Sequence, residues 1–186
     1  LNIDKEKISL MMGKNCHLVV YPINKNLDLN FVCIVRENQY DPDDIKKLVK
    51  KVTEQNPDLE KIFDGDIKTW PLYSTPKILP SSNNKVFYIG DAFNGFLPTL
   101  AQGAGQSIES AYELFNLINE DKEDIQNAYY QERLKRAKIV RRRSNINFFA
   151  FHFSNSIMQV IRNFFIKFLI KRKSFINSYL GIVYKR

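Results

Sequence analysis

Residues 86–115 read VFYIGDAFNGFLPTLAQGAGQSIESAYELF, and this stretch carries the most specific information in the chain. It joins an apolar segment, a Gly90-Asp91 pair, a loop that contains Pro98, and the Gly-rich start of an amphipathic helix. The continuously apolar residues 86–89 predict a strand that is covered on both faces. Ligands of open α/β sheets bind beyond the carboxyl ends of strands, so a carboxylate placed there suits the hydroxyls of a ribose or ribityl chain.

The start of the following helix is a second candidate for ligand binding. Gly103-Ala104-Gly105 offers backbone N–H groups at a helix N-terminus, where the partial positive charge favours an anionic ring or a phosphate. A strand-to-turn junction followed by a helix entry, without any ligand, would use the same residues, because isolated Gly motifs are weak signals. The spacing is not that of the dinucleotide fingerprint, since these glycines come a dozen residues after the strand and the third Gly is absent.

The segment from Gly90 to Glu109 closely resembles the second flavin-binding motif of the FAD-dependent aromatic hydroxylases. These are the single-component flavoprotein monooxygenases related to salicylate, hydroxybenzoate and ubiquinone-pathway hydroxylases. The family pattern is Gly-Asp-Ala-Ala-His, then Pro, then Gly-Gln-Gly and a helix. The resemblance covers about residues 7–150. Residues 13–22 look like substrate-domain strands of the salicylate-hydroxylase branch, and residues 130–137 look like the helix after its flavin motif.

This resemblance implies an FAD-dependent monooxygenase that uses NADH or NADPH and oxygen to hydroxylate a small aromatic substrate. The flavin carries the redox chemistry, while the protein orients and shields it. The carboxylate would hydrogen-bond to the ribityl chain, the proline would pack beside the isoalloxazine, and the residues at the helix start would face the pyrimidine edge. The cofactor-binding residues implied in this way are Gly90, Asp91, Pro98, Gly103, Ala104 and Gly105. The motif assigns no catalytic side chain.

The sequence also departs from the family pattern. Asn94 stands where the family usually has His, so this position cannot titrate near neutral pH. Ala101 replaces the first Gly of Gly-Gln-Gly. The Gly-x-Gly-x-x-Gly loop that holds the ADP half of FAD does not occur in the 186 residues. We therefore interpret the chain, which begins at Leu1, as the carboxy-terminal part of a longer enzyme, and we expect it to bind FAD weakly and to be inactive alone.

The hydrophobic pattern predicts an α/β fold, which is α+β when the chain is considered by itself. Antiparallel substrate-domain strands come first, followed by part of the FAD-binding domain and by a helical C-terminal region. We assign residues 1–75 to a substrate-domain sheet and helix, residues 76–132 to the FAD motif, and residues 133–186 to basic helices.

Individual elements follow from periodicity and capping residues. The predicted strands cover residues 7–12, 16–23, 27–35 and 86–89, with an edge strand over Trp70–Tyr73. The predicted helices cover residues 41–52, with Asp41 as N-cap, and residues 124–143. The helix of the flavin motif is expected to bury Ile108, Ala111, Tyr112, Phe115 and Ile118.

Charge is distributed unevenly along the chain. Residues 133–186 contain 14 of the 28 Lys and Arg residues and none of the 20 Asp and Glu residues. Such a segment needs an anionic neighbour. An apolar stripe from Ile157 to Leu169 makes its last long helix amphipathic. That stripe would pack on the flavin domain or, through residues 155–173, contact a membrane surface; we expect no nucleic-acid partner.

A few further residues bear on function. His17 and Tyr21 lie on one predicted strand and are candidates for substrate contact, although core packing explains both equally well. Cys16 and Cys33 fit reduced core residues of a reducing compartment, so we expect a cytoplasmic protein, with peripheral contact to the inner face of the membrane as an option. No metal site is expected.

Two alternative functions remain. One is a flavin-dependent dehydrogenase or reductase with the same motif, and the other is a non-catalytic membrane-binding module. The sequence does not indicate an oligomeric state.

Overall fold

The computed structural model divides the chain into two compact units. Unit 1 comprises Leu1–Trp70 and Phe149–Phe168, and unit 2 comprises Pro71–Phe148 and Leu169–Arg186. The residues that the structure describes are 3–4, 6–24, 28–36, 44–54, 57–63, 66–75, 81, 83, 85–120 and 122–184.

Unit 1 is built on a three-stranded antiparallel sheet in the order β1-β2-β3. The strands are β1 (Ser9–Met12), β2 (Cys16–Pro22) and β3 (Leu29–Val35), and β2 pairs with both neighbours. Alternate residues of β2 lie on opposite faces. Leu18 and Val20 are buried in a hydrophobic core together with Leu59. The predicted meander is therefore confirmed.

Helices complete unit 1. Helix α1 (Ile45–Thr53) begins after Asp44, whose side chain accepts a hydrogen bond from the Lys47 N–H at 3.0 Å. The predicted N-cap, Asp41, lies outside the described residues. A 3₁₀ turn covers Pro57–Phe63. The predicted edge strand over Trp70–Tyr73 is wrong: these residues form no strand, because no described strand lies alongside to supply backbone partners and Pro71 lacks a donor.

Unit 2 consists mainly of helices. The short helix α2 (Asp91–Asn94) is followed by a 3₁₀ turn (Pro98–Leu100) and by the longer helices, which are α3 (Gly103–Asn119), α4 (Ile125–Phe151), α5 (Ser156–Leu169), α6 (Lys173–Tyr179) and α7 (Gly181–Tyr184). The last residues of α4 and most of α5 belong to unit 1. Sheet and helices together confirm the mixed α/β class. The helix predicted over residues 124–143 is present but extends to Phe151.

The predicted buried strand over residues 86–89 is not formed. Val86, Tyr88 and Ile89 are more than two-fifths exposed and have no strand partner among the described residues. A strand needs a neighbour for its backbone donors and acceptors. Here the Tyr88 carbonyl instead accepts a hydrogen bond from the Tyr129 hydroxyl at 2.8 Å.

Two predicted apolar stripes also face outward rather than inward. On α3 the residues expected to be buried are exposed, and the helix instead buries Gln106, Ser110 and Leu117. On α5 the apolar stripe is exposed as well, while Arg162 is buried. The polar sides of both helices face inward because the Gln106 and Arg162 side chains find hydrogen-bond partners on α4. None of the described helices combines the length and apolarity needed to cross a bilayer.

Candidate functional site

Gly90, the first residue of the motif of residues 90–109, lies directly against helix α3. Its φ is +56°, a conformation that residues with a side chain rarely adopt. A Cβ added to Gly90 would overlap the hydroxyl of Ser107 and would lie 3.1 Å from the Ser107 Cβ. Only glycine therefore allows this close approach. Asp91, the first residue of α2, follows this contact directly in sequence and is exposed.

The N-terminus of α3 is open. Its Gln106 N–H donates to the Gln102 carbonyl at 2.8 Å, so the N–H groups of Gly103, Ala104 and Gly105 precede the regular helical bonds. The side chain of Gln102 does not cap the helix. A Cβ on Gly103 would meet nothing within 4 Å. The first turn thus presents backbone donors and the positive end of the helix dipole beside free space.

The loop between these two features is held on α4. Pro98 is exposed and begins the 3₁₀ turn, while the Thr99 hydroxyl donates to the Ser144 carbonyl at 2.7 Å. The Ser144 hydroxyl in turn donates to the Leu97 carbonyl. Ala101 ends the turn in the left-handed region, at φ +51°. The family pattern has Gly at this position, and a left-handed backbone favours Gly there. Ala101 is strained because its Cβ is crowded in this conformation.

A buried polar network lies beside the first two turns of α3. The Arg133 guanidinium donates to the Gln106 side-chain oxygen at 2.8 Å and is paired with the Glu109 carboxylate at 3.3 Å. Arg136 forms a bidentate pair with Glu109 at 2.9 and 3.0 Å. Burial alone would raise the pKa of Glu109, but hydrogen bonds and charges from Arg136 and then Arg133 outweigh it, so the pKa lies below its ordinary value.

This network was not anticipated from the sequence. Its signal was the helical spacing of Gln102, Gln106 and Glu109, which are polar residues on one side of a helix whose other side is apolar. With two guanidinium groups and one carboxylate, the network carries a net positive charge. Its field adds to that of the helix N-terminus.

Asn94, which replaces the usual histidine of the family pattern, is buried. Its Oδ1 accepts a hydrogen bond from the Arg141 guanidinium, and its Nδ2 has no hydrogen-bond partner among the described residues. Burial lowers the pKa of Arg141. The side chain at this position therefore holds α2 against α4 through a neutral amide.

In unit 1, His17 forms a buried pair with His152. The His152 Nε2 lies 3.1 Å from the His17 Nδ1 and 3.3 Å from the Ile34 carbonyl oxygen. Because a carbonyl only accepts, the tautomer that satisfies both contacts has the proton on the His152 Nε2 and leaves the His17 Nδ1 as an acceptor. His17 is therefore neutral. Burial and then the charge of His152 lower its pKa to about 4.

The structure gives different surroundings to the two residues predicted for substrate contact. His17 is 1% exposed, so a substrate would reach it only if the pair opened. Tyr21 is half-buried, and its hydroxyl accepts a hydrogen bond from Asn30 at 2.8 Å. Cys16 and Cys33 are both free thiols. Within the described ranges no three His, Cys, Asp or Glu residues are grouped as metal ligands.

Comparison with known proteins relates the chain to flavin-dependent monooxygenases. It is 26% identical over 168 residues to the 3-amino-4-hydroxybenzoate 2-monooxygenase PtnB3 of Streptomyces platensis, covering 84% of the chain and 42% of that protein. It is 32% identical over 145 residues to the FAD-dependent monooxygenase cfoG of Aspergillus candidus, covering 69% of the chain and 33% of that protein. PtmB3 of Streptomyces platensis, a second 3-amino-4-hydroxybenzoate 2-monooxygenase, is 25% identical over 169 residues.

The chain thus spans between about a third and about two-fifths of the length of these relatives. No family model matches it. The resemblance predicted from residues 90–109 is confirmed, since the relatives are named as FAD-dependent or aromatic monooxygenases. At this level of identity, the names support a general family of flavin monooxygenases.

Proposed function

We propose that this chain forms the flavin-ring side of the FAD site in a monooxygenase that hydroxylates an aromatic substrate with oxygen and NADH or NADPH. The observation that carries the proposal is the close approach of Gly90 to Ser107 of α3, four residues after Gly103 at the uncapped start of that helix. The residues at this position have the chemistry that binding of the flavin half of FAD requires. A carboxylate suits ribityl hydroxyls, uncapped N–H groups suit the carbonyl and nitrogen acceptors of a flavin, and an exposed proline suits a planar ring.

Each part of the site would have a separate task. Asp91 would accept hydrogen bonds from the ribityl chain and so fix the position of the ring. The N–H groups of Gly103, Ala104 and Gly105 would bind the polar edge of the ring. Bound FAD would supply the two-electron and oxygen chemistry.

The surrounding charges would favour an anionic form of the bound ring. The helix dipole and the net positive charge of Arg133 and Arg136 with Glu109 act on the same region, and stabilisation by fixed dipoles and charges needs no reorganisation during a reaction. Asn94 would contribute by holding α2 and not by proton transfer, because an amide does not titrate.

A flavin titration followed by NMR tests the site in the chain itself. On addition of FMN, the amide signals of Gly103, Ala104 and Gly105 should shift together. Asp91→Asn should weaken FMN binding on the order of tenfold, since hydrogen bonds to a charged group contribute about 1.5–3 kcal/mol. The matched control is Asp66→Asn, which changes an exposed aspartate of unit 1. Equal affinities of the two variants, or unchanged amide signals, would contradict the assignment.

An activity assay of the whole protein tests the reaction. An aromatic substrate should stimulate oxygen-dependent oxidation of NADH or NADPH, and hydroxylated product should form in proportion. Oxidation that proceeds equally well with an artificial acceptor and yields no hydroxylated product would instead indicate a flavin-dependent dehydrogenase or reductase. A comparison of FAD with FMN in the NMR titration would show whether the chain also contacts the ADP half.

A further inference from the structure

Helix α5 is oriented by its polar side chains. The Gln159 amide donates to the Phe153 carbonyl at 2.7 Å, and the Arg162 guanidinium donates to the Ala150 carbonyl at 3.2 Å. Arg162 also donates to the Asn163 side chain at 2.9 and 3.0 Å and is 6% exposed. The bonds to Ala150 and Phe153 tie the polar side of the helix to the last turn of α4 and to the segment that follows it. The apolar side is consequently turned outward.

The outward side is a continuous apolar surface, which we call the α5 face. At 100° per residue its members fall within less than half of the helix circumference. Each is between 43% and 70% exposed. The α5 face consists of Ile157, Val160, Ile161, Phe164, Phe165 and Phe168. Three exposed phenylalanines on one side of a helix would be costly in water, so this surface needs an apolar partner.

The charges around the α5 face indicate the kind of partner. Helix α5 contains the exposed Lys167 and no acidic residue, while its other cation, Arg162, is buried on the inner side. The exposed Lys171, Arg172 and Lys173 follow the helix in sequence. The whole segment from residue 133 to residue 186 has no carboxylate. Aromatic and aliphatic residues with adjacent cations are the pattern of helices that lie in the surface of anionic membranes.

Helix α3 provides a contrast within the same molecule. Its outward side also exposes apolar residues, including Tyr112 and Phe115. However, α3 contains Glu109 and Glu113 and no Lys or Arg. Glu109 is already paired with two arginines of α4, and α3 has no cation of its own to offer to lipid phosphates. Apolar exposure and positive charge therefore coincide on α5 but not on α3.

We propose that the α5 face binds to the surface of membranes that contain anionic lipids. Its 14 residues span about 21 Å, which is shorter than the hydrocarbon core of about 30 Å, so the helix would lie in the plane of the interface. The apolar residues would enter the boundary of the acyl chains. Lys167, which is exposed on the same helix, would meet the lipid phosphates.

Co-sedimentation with vesicles tests this proposal. The chain should bind vesicles of phosphatidylcholine with phosphatidylglycerol, should bind pure phosphatidylcholine far more weakly, and should lose affinity as salt increases. Phe164→Ser should reduce binding on the order of tenfold, because it removes most of one aromatic side chain from the apolar phase. Lys167→Glu should reduce it by a similar factor through charge alone.

Matched variants keep the test specific. Phe115→Ser removes a phenylalanine of similar exposure from α3, and Lys85→Glu reverses an exposed charge in the acidic part of the chain; both should bind vesicles like the unchanged protein. Circular dichroism checks that every variant is folded, and the exposure of Phe164 predicts that its replacement leaves folding intact. Equal loss in Phe115→Ser and Phe164→Ser, or binding that ignores anionic lipid, would overturn the proposal.

A second copy of the chain is the competing occupant of this face. Analytical ultracentrifugation distinguishes it: a dimer that Phe164→Ser dissociates, combined with no vesicle binding, would overturn the lipid assignment. The single tryptophan of Phe164→Trp, in a Trp70→Phe background, should be quenched by brominated lipid in the vesicles. The single tryptophan of Phe115→Trp in the same background should not be quenched.

Discussion

The buried His17–His152 pair predicts that acid destabilises unit 1 well above the pH at which carboxylates are protonated. Both side chains are 1% exposed, and the Nδ1 of His17 accepts a hydrogen bond. Protonation of His17 would place an N–H group against the N–H group of His152. The unfolded chain has no such restriction, so His17 takes up its proton near pH 6.5 when unfolded and near pH 4 when folded.

The size of the effect follows from these two pKa values. A folded-state pKa below the unfolded value means that the unfolded chain binds more protons between pH 6.5 and pH 4. The free energy of unfolding is therefore highest above pH 6.5 and decreases as the pH falls through this window. For a shift from 6.5 to about 4, the loss between pH 7 and pH 5 is about 2 kcal/mol.

Urea unfolding at pH 7 and pH 5 measures this loss. Trp70, the single tryptophan of the chain, is 65% exposed, so unfolding is followed instead through the NMR signals of Leu18 and Val20, which are buried in the core of unit 1. His17→Phe removes the titrating group and retains an aromatic ring against Phe151, whose centroid lies 5.2 Å from that of His17. The variant should lose about 2 kcal/mol less than the unchanged chain between the two pH values. Identical pH dependence in both proteins would refute the assignment of a neutral, buried His17.

Three further predictions concern unit 2, and each is checked by thermal or urea unfolding. Ala101→Gly should stabilise the unit by about 1 kcal/mol, because it relieves a left-handed residue. Gly90→Ala should destabilise it by at least about 2 kcal/mol, whereas Gly103→Ala, at an open position, should change stability little. Glu109→Gln should cost about 2 kcal/mol, since it leaves buried Arg133 without its ion-pair partner, and the cost should diminish in acid as the normal carboxylate also becomes protonated.

Several elements were predictable because local signals specify them. The alternation of residues in β2 and β3 predicted the meander, and its register places Leu18 opposite Cys33 on the core side of the sheet. The motif of residues 90–109 predicted a turn at Gly90 and a helix that begins at Gly103, and both are present. These features depend on backbone preferences and short-range periodicity, which a sequence displays directly.

Other expectations were wrong because periodicity does not specify which side of a helix is buried. The apolar stripes of α3 and α5 were expected to face inward, but Gln106 and Arg162 occupy the inner sides. Gln106 accepts a hydrogen bond from Arg133 of α4, which lies 27 residues away in sequence. Arg162 donates to the Ala150 carbonyl of α4, on the other side of the turn between α4 and α5. Residues 86–89 have the composition of a buried strand, yet strand formation also requires a partner.

By itself, the sequence determined the class of the fold, the position of the segment that resembles a flavin-binding motif, and the concentration of positive charge after residue 132. Only the tertiary structure decided that His17 and His152, which are 135 residues apart, share one buried hydrogen bond. It also decided that Glu109 is held by two arginines and that the apolar side of α5 is exposed. Local preference acts over a few residues, whereas burial and polar pairing depend on which distant segments meet.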